Sequence, residues 1–514
     1  MILFLHRVIL SLIFFSLFQT TGQSQVQINP IQWDLNAGYN RQLSQSDQIY
    51  HSMSKSFISS QFDSLSLDSN RWERRKHKGL VMRKVRNENL IVVDTHDFYL
   101  TIDPIFNFQF GRDLDDSTNR NLINNTRGIL VQGAVGQKLA FYASFYENQA
   151  FYPTYLSDNI IESGVVPGQG RYKGFKVRGF DYAMASGAVS YTPMKNANIQ
   201  FGHGKNFIGD GYRSLLLSDN TFNYPYLKGT FGFFKNKLQY QVLYASLTNL
   251  NRLPATTSSE AQFVRQAGTF HNLSFSPNNK FEISLFEGVV YQNWDSTGTQ
   301  SLPWNFYVPI VYINTGVEGM SNANSKPVLG LNLRVNPFNG YMIYGQMAID
   351  NYKVSNTGFQ LGVAAYDAMS LKDLILQVEW NNISKGMYQH NKPQNEYKHY
   401  GGYLAHPSGN DLNELIGIVN YSFHDFFISA KWVYSDRTTQ VDVDLGNGSV
   451  LTYRENQKVT YQDYSIGYLL NHKTNMKIKF GYSGRKLDRL GATENTTWYY
   501  FSFITDLQNV YYDF

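Results

Sequence analysis

The sequence predicts an all-β protein: a transmembrane antiparallel β-barrel of about eighteen strands, preceded by a small, partly helical segment. Three observations carry this. Segments of about 10 residues with alternating apolar and polar side chains recur to the end of the chain, which is the length and dyad pattern of a barrel strand. The connections sort into two kinds, short polar turns alternating with long loops. With a mean hydropathy of -0.36, no stretch reads as a mature membrane helix, whereas a barrel escapes hydropathy because lumen-facing residues dilute each strand.

The first residues fit an envelope protein. His6 and Arg7 precede an apolar run from Val8 to Phe18, too short to span a bilayer. Gly22 and Ser24 then supply small residues at the minus-three and minus-one positions of a cleavage site. This predicts a secretory signal peptide over 1–24. No Cys stands near the site, which excludes a lipid anchor there. The 514 residues contain no Cys at all, so stability must come from the sheet. Aromatics make up 16%, with 37 Tyr and 36 Phe. A net charge of +5 is small for this length and points to no nucleic-acid partner.

Residues 25–96 are polar and form the expected periplasmic N-terminal segment. Ile49, Met53 and Phe57 lie at i, i+4 and i+8, a stripe that predicts a short helix. A basic run follows: Arg71, Arg74, Arg75, Lys76, Lys78, Arg83, Lys84 and Arg86. It reads as a solvated face, with an acidic partner, phosphate or polysaccharide as the other reading. Alternation resumes near Ile91, and the barrel is placed at 97–514.

The clearest hairpin runs from Arg127 to Asn148. Leu139, Phe141, Ala143 and Phe145 alternate there with Ala140, Tyr142, Ser144 and Tyr146, on opposite faces of a strand. Strands are expected near 97–110, 127–135, 138–148, 182–192, 198–204, 226–234, 238–247, 265–276 and 281–291. The rest fall near 328–336, 340–349, 358–365, 374–382, 414–423, 426–435, 462–470, 475–483 and 497–505. In the penultimate one Met476, Ile478 and Phe480 alternate with Lys477, Lys479 and Gly481, which suits a lipid-facing wall and a wet lumen. Short turns such as Gly136-Gln137, Lys235 to Lys237 and His424-Asp425 alternate with long connections at 149–181, 205–225, 248–264, 292–327, 383–413 and 436–461. Outer-membrane barrels sort short periplasmic turns from long outer loops in this way. The aromatic ending, WYYFSFITDLQNVYYDF, resembles the signal read by the barrel-assembly machinery, although the best alternation stops near Thr505.

The densest candidate site is the run from Phe201 to Tyr226, FGHGKNFIGDGYRSLLLSDNTFNYPY. Its glycines permit tight backbone or close ligand approach. No Lys-Ser/Thr pair follows them, so the run is no P-loop. Lys205, Asp210, Arg213, Asp219 and Asn220 offer charge and hydrogen bonds, with Tyr212, Tyr224 and Tyr226 as stacking surfaces. The run reads either as a lumen-folded sugar-contact loop or as a brace pinned against the wall. Aromatic loops are the second candidate: Phe151, Tyr152 and Tyr155, then Trp294, Trp304, Phe306 and Tyr307, then Tyr388, Tyr397, Tyr400 and Tyr403. Such rings stack on sugar faces or form an interfacial girdle. Trp304 and Tyr397, far into long loops, are the better binding candidates. His203 stands alone and reads as structural. His399 and His406 with Glu396 make a weak metal pattern. Asp113, Asp115 and Asp116, and Asp442 with Asp444, read as turn chemistry rather than a calcium loop. No nucleophile motif occurs, and nothing points to a cofactor.

The run GHGKNFIGDGYRSLLLSDN followed by NYPY resembles the signature of Wzi-type capsule assembly proteins. The wider pattern, including Ile102-Asp103-Pro104 and the Asp513-Phe514 ending, is similar to RemB-type gliding-motility proteins. The resemblance implies an outer-membrane barrel that holds polysaccharide at the cell surface, with a helical periplasmic part. The Asn-Ala-Pro usual in the signature is stretched here to Asn220…Pro225. The leading expectation is a non-enzymatic outer-membrane barrel that binds or organises surface polysaccharide, linked to attachment or gliding. Its partners would be outer-membrane lipid, the polysaccharide and the barrel-assembly machinery, and its ligand residues Lys205, Asp210, Tyr212, Arg213, Asn220, Tyr224, Trp304 and Tyr397. The alternatives are a transport pore and a barrel enzyme acting on lipid or glycan.

Overall fold

The computed structural model describes residues 31–55, 77, 79–118, 120–252, 263–295, 298–322, 324–350, 356–444, 450–505 and 509–514. The signal peptide and most of the basic run lie outside the described residues.

Eighteen antiparallel strands form a closed transmembrane barrel. They run Phe98–Asp113, Asn121–Val135, Leu139–Phe151, Gly179–Met194, Ala197–Gly204, Tyr224–Phe233, Leu238–Arg252, Phe263–Asn278 and Phe281–Gln292. Ser325–Val335, Tyr341–Ile349, Thr357–Tyr366, Leu374–Ile383, Leu412–Phe423, Phe426–Asp444, Val450–Asn471, Met476–Arg489 and Ala492–Thr505 follow. Each pairs with the next, and the last closes on the first from Trp498↔Asp113 to Ile504↔Asn107. Closure leaves no free sheet edge, which a bilayer would not tolerate. Alternation sets the facing: Phe480 lies opposite Ile466 and Phe501, all exposed outward, while Lys479 lies opposite Gly467 and Ser502 on the lumen side. Likewise Leu333 is exposed on the wall and its neighbour Arg334 is buried in the lumen.

Every expected strand is present, but several run further at the long-loop end. The stretch 436–461, read as a loop, is mostly strand: Thr438 to Asp444 pair with Val450 to Asn456. From Thr438 to Asp444 the sequence reads TTQVDVD, with Val441 and Val443 alone apolar, too little alternation to mark a strand. The sheet also starts earlier than expected, because Ile91–Asp94 pairs with Tyr99 to Ile102 on the first strand.

The N-terminal segment enters the lumen. A helix over Trp33–Ser44 sits at the short-turn mouth, where Arg41 pairs with Asp367 at 2.9 Å and Asp373 at 2.6 Å. The chain then runs up inside: Tyr50 stacks under Arg334 at 3.9 Å, and His51 bonds Ser274 and the Asn236 carbonyl. Ser54–Lys55 pairs with Phe207–Ile208 of the glycine-rich run. The helix expected from Ile49, Met53 and Phe57 is absent at 49–53; Phe57 is outside the described residues. Met53 is buried and its carbonyl accepts from Gly209 N–H at 2.7 Å, a tertiary partner that outweighs a three-residue stripe. The helices form instead at Trp33–Ser44 and Leu80–Arg86. Beyond Thr505, residues 509–514 turn back into the lumen rather than extending the last strand.

Candidate functional site

An empty eighteen-strand wall would enclose an aqueous channel. Here the glycine-rich run, the N-terminal segment and the C-terminal residues meet inside it. Gly209 adopts φ +140, and a Cβ there would run into Gln346. A Cβ on Gly211 would strike the Glu379 carboxylate and lie 2.8 Å from the Arg213 carbonyl. Only glycine lets the loop press so closely on the wall. Glu379 then accepts from the N–H groups of Tyr212 at 2.7 Å and Arg213 at 3.0 Å. The Gln346 side-chain oxygen accepts from Leu215 N–H at 2.7 Å. Leu215, Leu216 and Leu217 are fully buried under Tyr388, Tyr397 and Leu404 from the 384–411 loop. The Ser-Leu-Leu-Leu-Ser run is thus an apolar core inside the barrel.

Arg213, 1% exposed, is the centre of this network. It donates to Glu414 from Nε at 3.3 Å and Nη2 at 3.1 Å, and Nη2 meets Asp513 at 3.0 Å. Its guanidinium lies over the rings of Tyr212 and Tyr511 at 4.9 and 5.3 Å. Lys431 and the Tyr212 hydroxyl donate to Asp513 at 2.8 and 2.7 Å. Burial would push Asp513 up, but Arg213 and Lys431 hold it well below the usual carboxylate range. His406 Nε2 bonds Glu414 Oε2, the oxygen that also accepts from Arg213 Nε, at 2.8 Å. Tyr511 donates to Asp219 at 2.8 Å, so the C-terminal residues are latched to the loop at two points.

The expected ligand residues therefore divide. Asp210, Tyr212, Arg213, Tyr224 and Tyr397 are buried. Asp210 accepts from Ser52 at 3.0 Å and faces Lys55 at 3.9 Å. Tyr397 donates to the Leu216 carbonyl at 2.9 Å. These side chains hold the plug, and Asp210 and Tyr212 also line a small cavity of about 30 Å³. Lys205 and Asn220 are half-buried beside Gly168, and burial pushes the Lys205 amine down to about 8. His399 bonds Thr248 N–H and the Asn223 carbonyl, so it and His406 have separate partners. Asp113 and Asp116 cap their own turns through Asp115 and Thr118 N–H.

Trp304 is 64% exposed, but not above the barrel. Residues 298–322 fold against the outside of the wall. Glu287, His271 and Tyr291 share the outward facing of Leu285 and Phe275, and this strap covers them. Glu287 accepts from Tyr312 N–H at 2.7 Å and from Thr315 N–H and hydroxyl at 2.8 and 2.6 Å. Tyr291 donates to Asn314 at 3.0 Å, and Phe306 packs on Tyr291 and Tyr244. A bare carboxylate on a lipid-facing wall is costly; the strap satisfies it and turns Trp304, Tyr307 and Ile310 outward. Trp304 thus lies exposed on a strap against the outer face of the wall, apart from the Arg213 network in the lumen.

A cavity of about 320 Å³ lies beside the Arg213 network. Phe151, Tyr152 and Tyr155, already singled out as loop aromatics, line it with Tyr146, Tyr461, Trp498 and Tyr500 from the wall and Tyr512 from the C-terminal residues. Asn107, Gln109, Asn124, Asn148, Gln169, Lys431, Asp463 and Lys479 supply polar groups. The side-chain oxygen of Asn107 is buried without a hydrogen-bond partner among the described residues. The volume is within the range of small-molecule sites, roughly 300–1,000 Å³. Flat rings rimmed by amides, a carboxylate and two ammonium groups suit a polyhydroxylated ligand: rings take C–H faces, amides and charges take hydroxyls. Strand alternation separates Tyr146 from Phe145, but nothing local says that Tyr146 shares a cavity with Trp498, more than 350 residues away.

No protein-family model matches the sequence, and no curated protein is recognisably similar to it. Solved structures do match. Wzi of Escherichia coli, an outer-membrane protein involved in group 1 capsule assembly and described as a carbohydrate-binding β-barrel, aligns with 94% of this chain and 99% of its own, at 14% identity and a TM-score of 0.55. OccAB2 of Acinetobacter baumannii and OccK8 (OprE) of Pseudomonas aeruginosa align with 79% of this chain and 97% of theirs, at 10% and 8% identity and TM-scores of 0.42. What this chain has in common with Wzi, at 14% identity, is the fold: a β-barrel built over nearly the whole length of both chains.

Proposed function

We propose that this protein is a bacterial outer-membrane barrel that binds surface polysaccharide without catalysing a reaction on it. Its N-terminal segment lies on the periplasmic side, the barrel-assembly machinery inserts it, and the bound glycan is held at the surface for attachment or gliding. The observation that carries the reading is the aromatic- and amide-lined cavity of about 320 Å³ in a lumen into which the glycine-rich run, the N-terminal segment and the C-terminal residues all fold. A filled lumen disfavours a pore, and the fold it shares with a carbohydrate-binding barrel is consistent with a glycan ligand. In this reading Arg213, Asp210 and Tyr397 act indirectly, by holding the plug that shapes the cavity.

Trp498 gives the test its signal. Oligosaccharides cut from the host's own surface polysaccharide should change the fluorescence of the purified barrel on titration. Tyr155→Ala and Asn107→Ala should weaken that binding at least tenfold while the barrel still migrates as a folded species. Deletion of the gene, scored for retained surface polysaccharide and for cell spreading together, checks the role in the cell. Binding that is unchanged in both variants would overturn the cavity as the site. Epitope tags check the orientation: the Leu490-Gly491 turn should be accessible on intact cells and the Lys235 turn should not.

A further inference from the structure

Leu80–Arg86 is a helix with no buried residue. Leu80 is 65% and Val81 72% exposed, and Met82 and Val85 are exposed as well. The edge strand after it is also exposed, with Ile91, Val92 and Val93 open. Yet the helix is firmly held. Asn471 donates to the carbonyls of Lys84 and Glu88 at 3.0 and 2.9 Å. Arg86 donates to the Tyr468 hydroxyl at 2.7 Å, with its guanidinium 5.2 Å from that ring. Tyr468 shares the outward facing of Ile466 and pairs with exposed Phe426, while just after the helix the Asn89 side chain and Leu90 N–H donate to buried Asp103 at 2.6 and 2.8 Å, so the helix is fixed across the short-turn rim of the wall. Around it the rim carries exposed Phe423, Phe426 and Ile428.

A water-facing helix with its apolar side chains outward has no reason to be ordered by hydrophobic burial. Lipid supplies the reason, because the patch is continuous with the lipid-facing wall. Its charge points to the kind of lipid. Arg83, Lys84 and Arg86, with exposed Lys473 in the adjoining turn, are opposed within the helix and its C-terminal end by Glu88 alone. Val92 and Asp94 share the lumen-side parity, opposite Thr101 and Tyr99, which leaves Ile91 and Val93 on the outward one. An apolar face flanked by bases is the pattern of a helix lying in a membrane interface, and anionic headgroups are attracted to such bases. We propose that Leu80–Arg86 with Ile91 and Val93 is a docking surface for anionic phospholipid in the leaflet at the short-turn rim.

Hydrogen exchange of residues 80–94, with the whole protein in lipid nanodiscs, tests this. In discs containing phosphatidylglycerol the wild-type amides should exchange about tenfold more slowly than in phosphatidylcholine alone. The double variant Arg83→Gln/Lys84→Gln should lose that increment and keep the phosphatidylcholine value. Leu80→Glu/Val81→Glu should exchange fast in both, with the barrel still folded by its gel shift. Equal exchange in the two lipids would overturn the anionic preference. Slow exchange that persists in Leu80→Glu/Val81→Glu would overturn lipid docking altogether, in favour of cover by residues 56–76 if the disc holds one copy, or by a second copy if it holds two.

Discussion

Arg213→Ala removes the cation that joins the glycine-rich run to the wall and to the C-terminal residues. The change strips Glu414 of two N–H donors and Asp513 of one. Breaking a buried ion pair by deleting one partner costs about 3–5 kcal/mol. Here Glu414 keeps His406, and Asp513 keeps Lys431 and the Tyr212 hydroxyl. The lower end, about 3 kcal/mol, is therefore expected, equivalent to roughly a hundredfold in the opening equilibrium. The loss falls on the plug and not on the wall, whose strands keep their ladder. Amides at 205–223 and 509–514 should thus exchange about a hundredfold faster while the barrel still shows its folded gel shift. Planar bilayers should register current steps that the wild type lacks. Arg213→Met with Glu414→Gln and Asp513→Asn removes the stranded charges together and should restore most of the protection. Exchange within about threefold of wild type, or lost glycan retention with the plug fully protected, would refute the bracing role and return Arg213 to the ligand.

Phe480→Arg places a charge on the lipid face next to Phe501, whose ring lies 4.9 Å away; it should cost about 2–4 kcal/mol at the midplane in denaturant unfolding from vesicles, and Lys479→Ala on the lumen side much less. Equal effects would mean the facing is reversed. Gly209→Ala must fit a Cβ against Gln346 at φ +140, so exchange at 205–223 should speed up, whereas Gly417→Ala, with open space around it, should leave it unchanged. Burial chiefly pushes His399 down to about 4 from 6.5. The unfolded chain then takes up the proton first, so the stability His399 lends is complete above about 6.5 and falls as the pH drops toward about 4. Opening of the 384–411 loop, corrected for intrinsic exchange, should rise through that window, and a flat profile would refute the neutral, buried imidazole.

The sequence by itself determined the wall. Period-two alternation is local, and a bilayer on one side with a wet lumen on the other imposes it on every strand, so Phe480 and Lys479 could be assigned to faces without a structure. It failed where the pattern is too thin: from Thr438 to Asp444 Val441 and Val443 alone are apolar, and the strand reads as a loop. The interior was decided by tertiary structure. Arg213, Glu414 and Asp513 sit on three distant parts of the chain, and only barrel closure makes them one network. Before closure a glycine-rich run with charges reads equally well as a ligand loop or a brace; its burial on the wall sets it among the plug residues. The same holds for Trp304, which is exposed as its loop position suggests, but on a strap folded over Glu287 on the outside of the wall. Side-chain chemistry was legible throughout, but which groups share a solvent-free space depends on long-range pairing, and no local pattern encodes it.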